Sequence, residues 1–142
     1  MVKTKVVKIS NVIDAPISDC YNWFYHSENF IASPIVFKSQ WGKAKHGLGS
    51  ERDIVMIAGW YHEKITDLKK NNYIRYCVER SFPRVKQDFT EILFKKISSN
   101  KTQIIWTIEI GMPNQFLLRL ASKIAKTLYS TIIMAAQKNL EK

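Results

Sequence analysis

Arg52, Glu63, Arg75 and Glu79 are the residues of this chain whose types could do chemistry together. A carboxylate held against a guanidinium can anchor the polar head of a ligand. With its pKa shifted by burial and charge, it can also transfer protons. The four residues fall in three successive strand-like segments. Period-2 alternation puts Tyr61, Glu63 and Ile65 on one face of a strand over Trp60–Leu68. It puts Arg75, Cys77 and Glu79 on one face of a strand over Tyr73–Arg80. Ile65 sets its face inward and carries Glu63 with it, and a carboxylate placed there needs a partner. Arg52 and Arg75, on the neighbouring strands, are the expected partners, which makes Glu63 the one candidate acid/base group. The competing reading is an ion pair that satisfies only itself.

Other chemistry is hard to find. His26, His46 and His62 lie on different elements and show no HxxxH or HxH spacing, so no metal site is expected. There is no GxSxG elbow, P-loop or GxGxxG. Gly47-Leu48-Gly49 lacks the following helix of a phosphate cradle. Cys20 and Cys77 fit no CxxC pattern and read as buried thiols acting as small apolar groups. No cofactor is implied.

The elements that must position these residues are legible in order. Thr4–Ile13 is Val/Ile-rich and reads as a strand, stopped by Asp14-Ala15-Pro16. A short helix follows, with Ile17, Cys20, Tyr21 and Phe24 on one face, then a second short turn carrying Phe30 and Ile31. Six strands are expected next: Ile35–Lys43, Glu51–Ile57, Trp60–Leu68, Tyr73–Arg80, Val85–Ile97 and Thr102–Ile110. Lys69–Asn72 reads as a hairpin turn. On the last strand Ile104, Trp106, Ile108 and Ile110 share the inward face. Gln115–Leu140 reads as one long helix of about 39 Å. Leu117, Ala121, Ile124, Leu128, Ile132 and Ala135 form its expected buried stripe. Strands in series imply an antiparallel sheet, and one long helix against it gives an α+β domain. If the sheet curves around that helix, a cavity remains between them. Tyr61, Trp106 and Leu128 are then its apolar walls, and Arg52, Glu63 and Arg75 its polar groups.

The totals bound the class. The chain has 142 residues, one domain's worth, with 46% hydrophobic and 24% charged residues. That is enough to bury a core without staples. The first residues lack the apolar region of a signal peptide, and there is no stretch of about 18 apolar residues, so a cytoplasmic protein without a membrane span is expected. Net charge is +10, which favours anionic partners, but no run of lysines reaches a binding tail. A nucleic-acid face is therefore not favoured.

The pieces Val7–Ile17, Tyr21-Asn22-Trp23-Phe24, Gly47–Arg52, His62–Thr66 and Thr102–Trp106, followed by the closing helix, resemble a known arrangement. Together they resemble the helix-grip, Bet v 1-like fold of the START-like superfamily, nearest to its polyketide cyclase/dehydrase branch. The resemblance covers nearly the whole chain. It implies a curved sheet gripping the C-terminal helix around a cavity for a lipid, polyketide, quinone or similar molecule. Binding or carriage is the leading expectation. The first alternative is a cyclase-like or dehydratase-like enzyme using Glu63 with Arg52 or Arg75. The second is a basic module for RNA, the ribosome or an anionic membrane.

Overall fold

The computed structural model describes residues 2–42 and 47–141. It contains β1 (Lys3–Ile13), α1 (Ile17–Tyr25), a 3-10 helix (Ser27–Ala32), β2 (Val36–Trp41), β3 (Glu51–Met56), β4 (Gly59–Lys69), β5 (Tyr73–Phe82), β6 (Lys86–Ser98), β7 (Lys101–Met112) and α2 (Gln115–Leu140). This is the expected order of elements. His46 and most of the turn before Gly47 lie outside the described residues.

All seven strands form one antiparallel sheet in the order β1-β7-β6-β5-β4-β3-β2. The hairpin turn after β4 places Asn71 at φ 61°, a conformation asparagine tolerates better than most residues. β1 returns to pair with β7, from Lys3↔Met112 to Ile13↔Thr102. The chain therefore crosses from one edge of the sheet to the other through α1 and the 3-10 helix.

One face of the sheet is apolar. On β7 the residues Ile104, Trp106, Ile108 and Ile110 are buried, as alternation predicts. Phe24, Phe30 and Phe94 meet the Trp106 side of this layer, with Phe24 perpendicular to Trp106 at 5.7 Å. α2 lies across β1 and β7 and touches α1 and the 3-10 helix. Asn114 caps its first turn by accepting from the Leu117 amide at 2.9 Å. At its far end Gln137 donates to the Val12 carbonyl at 2.9 Å, and Glu141 accepts from the Asp14 amide at 2.8 Å.

Of the expected stripe of α2, Leu128, Ile132 and Ala135 are buried, but the N-terminal half turns a different face to the sheet. Leu118, Ser122, Ala125, Tyr129, Ile132, Ile133 and Ala136 are buried, with Leu128 and Ala135 at the flank. Leu117 and Ala121 are only half-buried, and Ile124 is exposed. The helix is rotated so that Leu117 and Ile124 stay at the side of the core and Leu118 and Tyr129 enter it. Ser122 is tolerated there because its hydroxyl donates to the Leu118 carbonyl at 2.7 Å. No helix of the described residues is long and apolar enough to cross a membrane.

Candidate functional site

The displaced stripe of α2 has its own place. The C-terminal half of the helix is packed: Ile132, Ile133 and Ala136 are essentially inaccessible. The N-terminal half instead bridges an apolar cavity of about 240 Å³. Leu117, Leu120, Ala121, Ile124 and Leu128 form its roof. Met56, Ala58 and Tyr61 form the wall from the β3–β4 turn, and Pro83, Arg84 and Val85 the wall from the β5–β6 connection. Ile110 and Met112 of β7 form the floor.

Two polar side chains reach this cavity from its deep end. Gln87, buried on β6, donates to the Thr90 hydroxyl at 2.9 Å and to the Tyr129 hydroxyl at 3.3 Å. The Tyr129 ring packs on Trp106 at 4.4 Å, and the Trp106 indole donates to the Tyr76 hydroxyl at 3.1 Å. Burial, and then the charge of Glu63, push the Tyr129 hydroxyl well above the ordinary phenol range. Burial also raises the Tyr61 hydroxyl, again reinforced by Glu63. At neutral pH both phenols are neutral donors.

Beyond this aromatic layer sits the expected ion pair. β3 and β4 bring Arg52 opposite Glu63, and Arg52 Nε lies 2.8 Å from Glu63 Oε1. Both residues are buried, at 1% and 2% exposure. The guanidinium is surrounded by rings, 4.6 Å from Tyr76, 5.5 Å from Trp41 and 5.6 Å from Phe30. Its Nη2 has no hydrogen-bond partner. Burial raises the Glu63 pKa, and the Arg52 charge pulls it back without cancelling the rise. Tyr61 and Leu128 thus line the cavity as expected, and Trp106 backs it one layer deeper. Arg52 and Glu63 are inside the fold but not among the lining residues.

No protein-family model matches the sequence, and no curated protein matches it. Solved structures do. A START superfamily protein from Mycobacterium smegmatis superposes with TM-score 0.78 at 10% identity, over 96% of this chain and 97% of that one. Ginseng major latex-like protein 151 from Panax ginseng gives TM-score 0.78 at 9% identity, over 96% and 97%. Norcoclaurine synthase from Thalictrum flavum, in complex with dopamine and hydroxybenzaldehyde, gives 0.75 at 15% identity, over 96% and 86%. The chain has the START-like helix-grip fold. At these identities the likeness is one of fold.

The outer face of the helix-grip sheet holds the residues the sequence misplaced. Arg75 does not join Glu63. Its Nε lies 2.7 Å from Glu91, its Nη1 lies 3.2 Å from Asp67, and its guanidinium stacks 4.1 Å over Tyr73. The reason is parity: Ile74, Tyr76 and Val78 take the inward positions of β5. Pairing of β4 with β5 shifts register at His62/Glu63 and again at Ile65/Asp67, so Arg75 stands opposite Asp67 and not opposite Glu63. Cys77 and Glu79 go outward with Arg75, and Cys77 is half-buried, not buried.

On that face His62 is no isolated surface residue. Its Nδ1 lies 2.8 Å from Asp53, its Nε2 2.7 Å from Glu51 and 3.8 Å from Glu79. Burial disfavours the charged ring, but the hydrogen bonds to Glu51 and Asp53 outweigh it and hold the His62 pKa above its ordinary value. Glu51 is lowered, first by its hydrogen bond to His62. Asp53 is lowered because the His62 and Trp60 hydrogen bonds overcome its burial. An imidazolium between two carboxylates accounts for this geometry. The signal for it was present: once Glu63 is set inward, His62 must face out, opposite Asp53 in the β3–β4 hairpin.

Proposed function

We propose that the chain binds a small hydrophobic molecule in the cavity beneath the N-terminal half of α2. The observation that carries this reading is the apolar cavity itself, about 240 Å³, ending on the Gln87–Tyr129 pair. The volume lies just under the roughly 300–1,000 Å³ of ligand pockets, so a compact molecule, or the leading end of a longer one, is the occupant. Its body is apolar and planar enough to lie between Tyr61, Ile110 and Leu128. One hydroxyl or carbonyl group meets the buried Gln87–Tyr129 pair, where an analogue lacking it would leave polar atoms unpaired. Phenols, quinones, polyketide-like rings and lipid tails with a polar end belong to this class. The norcoclaurine synthase of the same fold was solved with dopamine and hydroxybenzaldehyde, small aromatics of this kind.

Binding is favoured over catalysis by what lines the cavity. Among the described residues the lining carries no carboxylate or imidazole. Its titratable groups are Arg84 and the two neutral phenols Tyr61 and Tyr129. Glu63, the candidate acid/base group, is paired with Arg52 and is not among the lining residues.

The test is uptake of anilinonaphthalene sulfonate followed by displacement with hydroxybenzaldehyde, a benzoquinone and a fatty acid. Ala121→Trp, at a half-buried roof position, should fill the cavity and abolish uptake while the urea midpoint changes little. Uptake that is unaffected by Ala121→Trp would show that the cavity is not the binding site.

A further inference from the structure

The rim of the cavity carries large apolar side chains that are exposed among the described residues. Ile57, between the lining residues Met56 and Ala58, is 68% exposed. Phe82, next to the lining Pro83, is 76% exposed, and Phe116, next to the lining Leu117, is 75% exposed. Trp60 pairs with Phe82, which brings the β3–β4 turn and the end of β5 side by side. Phe116, Leu120 and Ile124 recur every four residues and form one stripe on α2, with Leu120 and Ile124 themselves part of the cavity mouth. Exposed apolar groups are common singly, but a group of them around one opening marks an interaction site.

The helix over the opening carries charge of one sign. α2 bears Arg119, Lys123 and Lys126 in the half that roofs the cavity and no acidic residue from Gln115 to Leu140. At 100° per residue, Arg119 and Lys123 lie beside the Phe116–Leu120 stripe on its solvent side. Arg84 stands on the opposite wall of the mouth. Among the described residues Arg84, Arg119, Lys123 and Lys126 make no ion pair, whereas nearby Lys86 is matched by Asp88 at 3.6 Å. The positive end of the α2 dipole points the same way, with no acid in the first turn to offset it.

Apolar groups ringed by unmatched cations fit a surface that is hydrocarbon just below a layer of anionic headgroups. We propose that the cavity mouth docks on an anionic lipid bilayer. Phe82, Phe116 and Ile57 enter the interface, while Arg84, Arg119 and Lys123 lie at headgroup level. In that pose the cavity opens onto the membrane, and an apolar ligand passes between bilayer and protein without crossing water. The passage of ligand rests on the cavity reading above; the docking does not.

The experiment is flotation of the full chain with phosphatidylcholine vesicles, with and without phosphatidylserine, at low and high salt. Binding should require phosphatidylserine and weaken with salt. Arg119→Gln and Lys123→Gln should each lower partitioning about fivefold, from about 1 kcal/mol per cation at an anionic surface. Phe116→Ser and Phe82→Ser should each lower it about tenfold or more, because a phenyl ring no longer leaves water. Both phenylalanines are exposed and do not line the cavity, so unchanged thermal melts and unchanged probe uptake from buffer should accompany the loss. Absence of vesicle binding at low salt would overturn the docking, as would binding indifferent to Phe116→Ser and Phe82→Ser. So would tighter binding to an RNA oligonucleotide that these serines leave intact, since a polyanion in water needs the cations alone. Probe uptake without vesicles reports the cavity separately. Uptake with no vesicle binding removes the docking and keeps the cavity; vesicle binding with no uptake does the reverse.

Discussion

Replacing Glu63 with leucine tests whether the buried pair serves the fold or the ligand. In the intact protein Arg52 and Glu63 are 2.8 Å apart and nearly inaccessible, and Arg52 Nη2 already lacks an acceptor. Glu63→Leu would leave a buried guanidinium with Nε unsatisfied as well. Removing one partner of such a pair costs about 3–5 kcal/mol. The rings of Tyr76, Trp41 and Phe30 lie within 5.6 Å of the guanidinium and soften the loss, so a value near the lower end, about 3 kcal/mol, is expected. At this chain length that lowers Tm by roughly 9 °C, taking about 3 °C per kcal/mol. Glu63→Gln should cost less, since its amide oxygen still accepts from Nε. The double variant Arg52→Met with Glu63→Leu should recover most of the loss, because an apolar pair removes both buried charges. The assay is urea denaturation of the four proteins alongside probe titration of the cavity. Stability within about 0.5 kcal/mol of the parent would refute the pairing energetics. Unchanged stability with lost probe affinity would refute the separation of the pair from the cavity and return Glu63 to the ligand.

Four further outcomes follow from the geometry. The His62 pKa is raised, so its stabilising charge is fully present below about pH 6.5 and is lost as pH rises through the higher folded value. Glu51 and Asp53 are lowered, so their contribution is present above about pH 4 and is lost as pH falls through their folded values. The urea midpoint should therefore peak between these limits, and His62→Gln should flatten the alkaline limb; an unchanged limb would disprove the clamp. Leu128→Asp should cost about 3 kcal/mol or more and abolish probe uptake, since it puts an unpaired charge in the roof; an unchanged melting point would contradict that placement. Tyr129→Phe should cost about 1 kcal/mol and weaken phenols more than plain hydrocarbons, read by displacement titration. Gly59→Ala should cost about 3 kcal/mol in urea denaturation, because φ is +134° and the new Cβ would clash with the Phe82 carbonyl oxygen.

Long, regular signals were the legible ones. The alternation of β7 and the length of α2 were strong enough to place Trp106, Ile108 and the closing helix from residue types alone. Glu63 was placed correctly because Ile65, two residues away, anchors the same face. Arg75 was misplaced because the inward face of β5 is not the one it shares with Cys77 and Glu79: Ile74, Tyr76 and Val78 form the more apolar face and are the ones buried. The rotation of α2 was hidden for another reason: the buried face contains Ser122 and Tyr129, whose hydroxyls are satisfied by the Leu118 carbonyl and by Gln87 and so do not mark it as apolar. The cavity follows from that rotation, since Leu117, Ala121 and Ile124 are left over an opening instead of against the sheet. The His62 cluster leaves no local pattern because its partners come from the two flanking strands, β3 and β5, and converge only in the folded register.

An open sheet has two rims with unspent backbone donors and acceptors, and here they are β1 and β2. A second chain could extend either one, which is how folded proteins begin to aggregate. β2 is short, has a register shift between Val36 and Lys38, and so offers little straight edge. β1 is eleven residues long and carries exposed valines at positions 6 and 12. Its protection is Lys3, Lys5 and Lys8, all exposed along the strand, which would face like charges in a self-paired copy. Part of the chain's excess of positive charge thus has a use that involves no partner: it keeps copies of the molecule apart at their most adhesive border.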